Sequence, residues 1–573
     1  MKMSKTTGKN IFDTTRMLTR GIAAFCFCAA MTLTASAQPW AKKAAQAVFT
    51  LKTFAADGSL IGSANGFFVS DTGVALSSFT PFKGAHRAVI IDAQGHEWPV
   101  DCLMGANDVY DVAKFKVDAK KSTALSLATA STEVGAKVWL LPYSAKKVAA
   151  GKPGTVSKSE SFQGEYAYYT LSMQPDEQQT GCPVMNDAGE VVGIMQPTAD
   201  AKATQSHAVS ASFANSLRTN GLSMNAPAMR ATAIAKALPD ELDQAQLGLF
   251  MAASAMDSTQ YADYLERFVR KFPDSPDGYV YRARNLASKG RFAEAESDFK
   301  QAFKVAEKKD DVHYQYANLI YQHRQQDGQH YEPWSMDKAL TESREAYAVN
   351  PQPVYLQQQA QILFAEKQYE EAFQLYTQLA ASSLRSADIF YAAALCKLQQ
   401  QDQEAALAQM DSAVSMYSRP YLKDAAPFLL ARGQLYDRMG KYRQAVSDYN
   451  DYEQLMRTQL ADGFYYLREQ AEFAGHLYQQ ALDDIKHAIE LAPQEPVYLA
   501  EKACIELRVG LSAEAIASAQ ECIRLAPQLS DGYLFLGIAQ CLNGQKTEGL
   551  QNLTKAKELG NSQAQTLIDK YAQ

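Results

Sequence analysis

Cysteine and tryptophan are scarce in this 573-residue chain, at 8 and 4 residues, and glycine and proline amount to only 31 and 20. Glycine and proline this sparse exclude a fibrous or linker-like protein. Hydrophobic residues at 47% and charged residues at 21% exclude a largely disordered one. No long basic block occurs, and the net charge is −7. Nucleic acid is therefore not an expected partner, because phosphate binding needs clustered lysine and arginine. No cysteine or histidine spacing matches a zinc site, and Gly62, Gly66, Gly73 and Gly84 follow strand and turn positions, not a phosphate loop. No metal, nucleotide or redox cofactor is expected.

The charge is unevenly placed: +4 in residues 1–37, zero in 38–222 (16 basic and 16 acidic side chains), and −11 in 223–573. The break near 222 marks two different modules. Residues 1–37 join a basic start, ending at Arg20, to an apolar run and the small-residue site Ala35-Ser36-Ala37. This pattern reads as a secretory signal peptide, with an uncleaved anchor as the alternative. No lipoprotein signature surrounds Cys26 or Cys28, and no later segment is apolar enough to span a bilayer. A periplasmic or secreted protein with no integral membrane segment after cleavage is expected. Cys102, Cys182, Cys396, Cys504, Cys522 and Cys541 remain. They read as small buried side chains, and Cys504 with Cys541 is the one disulfide to consider.

A period dominates the second half. Small residues at Ala295, Ala339, Ala372, Ala406, Ala445, Ala481, Ala515 and Gly549 are spaced by 44, 33, 34, 39, 36, 34 and 34 residues. Apolar residues follow most of them at offsets of four and seven, on one helical face. Gly290, Gly440, Gly510 and Gly544 precede their markers as turns, and Pro351, Pro493 and Pro527 stop the second helices. These residues resemble the tetratricopeptide repeat, from near Pro276 to the C-terminus, in about eight copies. The resemblance implies an all-α solenoid over 256–573 whose concave face holds a peptide or protein. Its inner positions would be Arg284, Gln357, Gln361, Tyr391, Gln434, Asp437, Tyr466, Gln470 and Arg508. Residues 223–255, punctuated by Pro227 and Pro239, read as a linker and capping helix.

Within the module 38–222, residues 45–215 carry short alternating apolar runs with turn signals about every 10 residues, which predicts an all-β barrel or sandwich. Three stretches sharpen this: Gly62–Ala85, Tyr110–Asp118 and Gln178–Ile194. In order and spacing they resemble the active-site segments of trypsin-like serine proteases, especially the HtrA type. That resemblance implies two six-stranded barrels with a Ser-His-Asp triad between them. Thr80 fills the histidine slot, Asp111 the aspartate slot and Thr180 the nucleophile slot. Gln178 replaces a glycine that shapes the oxyanion hole. A threonine cannot accept a proton at neutral pH, so no catalytic residues are expected. Cys182 should point into the barrel, His207 lines the specificity-pocket strand, and His86 and His96 lie in a loop and on a surface strand. Gln178, Cys182 and His207 are the candidate pocket. The expected function is an exported adaptor or scaffold with an inactive trypsin-like domain. The alternative is an active peptidase using Thr180 or Cys182, with the solenoid presenting substrates.

Overall fold

The computed structural model describes residues 38–145, 151–162, 166–198, 200, 203–326 and 330–572. The signal-peptide stretch 1–37 lies outside them. The chain divides into two compact units, one ending at Ala306 and the other beginning at Glu307.

Twelve strands in the first unit close into two barrels. The first has the order β1-β2-β3-β6-β5-β4, with β1 Val48–Phe54, β2 Leu60–Phe68, β3 Val74–Ser77, β4 Arg87–Ile91, β5 Glu97–Asn107 and β6 Val112–Val117. The second runs β10-β11-β12-β9-β8-β7, from β7 Lys137–Leu140, β8 Lys152–Phe162, β9 Tyr166–Leu171, β10 Pro183–Met185, β11 Val191–Met195 and β12 Ser206–Ser210. The alternating runs predict strands with one buried face: β1 buries Phe49 and Leu51 while Thr50 and Lys52 stay partly exposed. Phe49, Phe68, Phe82 and Phe115 fill the first barrel, with ring centroids 5.0–6.1 Å apart. A second cluster, including Phe67, Tyr110, Val112, Met185, Ile194 and Phe213, joins the two barrels. The double-barrel expectation holds.

Within the stretch 223–255, residues 232–237 run beside the first barrel. Ala233 N–H donates to Ala85 O (2.8 Å), and Leu103 exchanges bonds with Ala235 O and Ala237 N–H (2.7 and 2.9 Å). Helices α1 Leu242–Ala255, α2 Ser258–Lys271, α3 Pro276–Ser288 and α4 Phe292–Val305 complete this unit. Arg267 of α2 grips Asp101 of β5 at 2.9 Å.

The second unit is all helical, in successive packed pairs from Asp310–Gln325 to Ala564–Ala572. The marker residues Ala339, Ala372, Ala406, Ala445, Ala481 and Ala515 are fully buried, as close helix approach requires. From Ala372 onward, the turn five residues before the marker adopts left-handed backbone: Gly440, Gly510 and Gly544 have φ of 71–83°. Lys367, Gln401 and His476 hold the same place at 61–62° without being glycine. Arg432–Asp448 and Arg468–Asp484 form two-bonded pairs of 2.6–2.8 Å between the helices of one repeat. In the first unit Arg282–Asp298 does the same at 2.8 Å. All the described cysteines are free thiols, so the considered Cys504–Cys541 bond is not formed.

Among the six copies from Ala372 onward, one departs from the pattern. Twelve residues before the markers stand Ala360, Ala394, Gly433, Ala503 and Gly537, but Glu469 takes that place beside Ala481. Its side chain is fully buried, and Oε1 has no hydrogen-bond partner. Burial pushes its carboxyl up to about 8, and the neighbouring Glu472 likewise to about 8.

Two outcomes follow. A non-glycine residue in left-handed backbone costs about 1–2 kcal/mol, so Gln401→Gly and Lys367→Gly each raise array stability by about 1 kcal/mol in urea unfolding. A carboxyl raised above its unfolded value stabilises fully below that value, and the contribution is lost as pH rises toward 8. Protection factors in 462–491, which divide out the base-catalysed rise of intrinsic exchange, therefore fall as pH rises from the ordinary glutamate value of 4.5 through about 8, and Glu469→Ala reduces that fall.

Candidate functional site: the cleft between two barrels

The three triad-like slots sit where the barrels meet. Thr80 opens a 3-10 turn, Thr80–Phe82, directly after β3. Asp111 precedes β6 in left-handed backbone (φ 49°) and is 8% exposed. Its Oδ1 accepts both the Thr80 amide (2.7 Å) and the Thr80 hydroxyl (2.8 Å). Its Oδ2 accepts the Ser78 hydroxyl. The carboxylate that the resemblance assigns to orienting an imidazole is thus saturated by a turn. Among the described residues no imidazole bonds this carboxylate, and its three donors tie Ser78 and Thr80 to the start of β6.

Thr180 follows a second 3-10 turn, Glu177–Gln179. Asp176 caps that turn: its Oδ1 accepts the Gln178 amide at 3.0 Å and Oδ2 the Gln179 side chain at 3.0 Å. The Thr180 amide donates to Glu177 O at 3.3 Å. An oxyanion hole needs two amides aimed at a vacant point. The two that correspond here, from Gln178 and Thr180, are both engaged inside the turn. Asn65 of β2 pins the loop: its amide donates to Thr180 O (2.8 Å) and its side chain to Gln178 O. Ser77 fixes Asn65 in turn, through a 2.6 Å bond to its carbonyl. Gly181 allows this approach, having φ 82° and only 2.1 Å between Asn65 O and the place a Cβ would occupy.

Cys182 is fully buried in the core of the second barrel, where burial pushes its thiol up to about 12. A thiol held protonated there is a poor nucleophile. His207 is exposed, stacks on Tyr168 with centroids 5.6 Å apart and lies 3.5 Å from Thr170 Oγ1. His96 pairs with Asp92 at 3.4 Å, and His86 is exposed before β4. Among the described residues, no imidazole hydrogen-bonds Thr180 or Cys182.

Residues 64–194 match the family model for the trypsin-like peptidase domain. The chain carries a trypsin-like peptidase domain. Solved structures similar to it include the Rv3671c protease of M. tuberculosis in its active form, 16% identical over 31% of this chain and 82% of that one, with a TM-score of 0.28. The serine endoprotease of Yersinia pestis is 18% identical over 32% of this chain and 65% of its own, with a TM-score of 0.28. No curated protein matches the chain.

The trypsin-like domain does not gather the candidate pocket. Gln178 lines a recess of about 700 Å³ with Lys152, Met173, Asp176, Glu177 and Gln179. Cys182 turns inward just before β10, and His207 lies on the outer face of β12, so neither is in that wall. The groove positions are dispersed: Arg284, Gln361, Gln434, Gln470 and Arg508 are exposed, whereas Gln357, Tyr391, Asp437 and Tyr466 are half-buried. Tyr391 packs on Phe428 and Tyr466 on Tyr498 (5.9 and 5.0 Å), spending their rings on the array. Sequence reading missed Asp176 and Asn65. An Asp two residues before Gln178 is a turn-capping signal, but its partners emerge only from the fold.

Because three donors converge on one buried carboxylate, Asp111→Ala lowers the denaturant stability of this unit by on the order of 3 kcal/mol. An aspartate kept only for catalysis would be replaced with little loss of stability.

Proposed function

We propose that this is an exported protein-binding adaptor whose trypsin-like domain has lost catalysis and kept its groove. The observation that carries the reading is the engagement of both the Gln178 and Thr180 amides within the turn capped by Asp176. Acyl transfer would also need a proton acceptor near Thr180, and the corresponding slot holds the Thr80 hydroxyl, itself donated to Asp111. A cleft between two rigid barrels still presents walls to an extended peptide, because its shape comes from barrel packing and not from the triad.

The helical region supports the same reading. Its period, buried small residues and left-handed turns fit tetratricopeptide repeats, which hold peptides or proteins on a concave face. Arg284, Gln357, Gln361, Tyr391, Gln434, Tyr466, Gln470 and Arg508 are the proposed contact positions. The basic-apolar start with Ala35-Ser36-Ala37 supports export to a bacterial envelope. No described helix is long and apolar enough to cross a membrane.

If only the lost side chains prevented catalysis, restoring them would revive it. The engaged amides predict otherwise. The double variant Thr80→His with Thr180→Ser leaves unfolded casein uncut over hours, while the immobilised wild-type protein retains casein intact. Turnover by the double variant, or wild-type cleavage abolished by Thr180→Ala or Cys182→Ala, would refute the reading.

A further inference from the structure

Lys236 is 8% exposed, and no carboxylate pairs with it among the described residues. Its ammonium donates to Thr232 O at 2.7 Å and to Ile234 O at 2.5 Å. Among the described residues the third N–H has no protein partner. The backbone around it is fixed, since Lys236 bridges Leu103 of β5 and the Thr232 hydroxyl is bonded to Ala85 O at 3.0 Å. A buried cation without a counter-charge is costly, and a protein interior normally pairs it.

Lys236 stands in the wall of a cavity of about 630 Å³ within the first unit, between the extended stretch beside β5 and the start of α2. That volume falls in the range of about 300–1,000 Å³ typical of small-ligand sites. Ala233, Ile234, Ala235, Met256 and Tyr264 give it a mainly apolar lining. Its two acids are committed elsewhere. Asp257 accepts the Thr259 and Gln260 amides at 2.9 Å each, and Asp263 accepts Arg267 Nε at 2.7 Å. His86 stands exposed at the rim.

We propose that this cavity binds a small organic carboxylate with an apolar body, the carboxylate accepting the third N–H of Lys236 and the body lying on Ile234, Met256 and Tyr264. The pairing supplies the counter-charge that the fold omits, and the apolar walls bury the remainder. On its other side Lys236 borders a recess that also holds Asp101, Lys116, Asp240, Arg267, Arg270 and Lys271; burial holds its amine down to about 8, so affinity weakens as pH rises past that value and the ammonium is lost. None of these residues belongs to the cleft between the barrels, so the site stands whether or not that cleft is catalytic.

Octanoate and its neutral counterpart octanol, titrated calorimetrically into the full mature chain, test this. Octanoate binds about tenfold or more tightly than octanol, and Lys236→Met, which keeps the apolar stem, removes that preference. A second measurement uses the wild-type protein: octanoate slows acetylation of Lys236 by acetyl N-hydroxysuccinimide, read by peptide mass spectrometry, and leaves the surface Lys83 unaffected. Octanol matching octanoate, or Lys236 acetylation that is unchanged by octanoate or undetectable throughout, would overturn the proposal.

Discussion

The carboxylate of Asp176 holds the amide of Gln178, while Glu177 holds the amide of Thr180. Asn65 then locks that turn onto the first barrel through Thr180 O and Gln178 O. The geometry of the whole cleft depends on this short set of hydrogen bonds. An oxyanion placed there would compete with the Asp176 carboxylate and the Glu177 carbonyl for these two amides. Asp111 tells the same story from the other barrel, where Ser78 and Thr80 take up a carboxylate otherwise suited to orienting a base.

The helical half follows a different constraint, the close approach of paired helices. Small residues at the markers and at the place twelve residues earlier make that approach possible. Glu469 breaks the rule in one copy, where a full side chain with an unbonded oxygen sits in a space cut for alanine or glycine. The Arg468 cluster beside it, bonded to Asp484, Glu453 and Asn450, concentrates charge at that joint. No stability argument in the sequence favours this placement.

Much of the architecture was legible. Strand alternation and turn spacing predict an all-β barrel or sandwich, because both are period-two surfaces, and the trypsin-like resemblance implies that there are two barrels. Helical spacing predicts the paired helices, and the threonines at 80 and 180 were readable once Leu76 and Gly181-Cys182-Pro183 set the register. Other features stayed hidden because they depend on partners distant in sequence. Asn65 and Gln178 are 113 residues apart, and Arg267 reaches Asp101 across 166. Nothing in the sequence marks Lys236, whose burial comes from the pairing of 235–237 with Leu103 of β5. The Arg–Asp pairs sixteen residues apart were visible in principle, at thirteen before and three after a marker, but only three copies carry them.

Intact-mass and peptide mass spectrometry of the wild-type chain after exposure to a fluorophosphonate probe reads the nucleophile directly. The account predicts no phosphonyl adduct on Thr180 at neutral pH, under conditions that label an active serine protease to completion. A stoichiometric adduct mapped to Thr180 would contradict it, because it would require a working base and unengaged amides in the cleft.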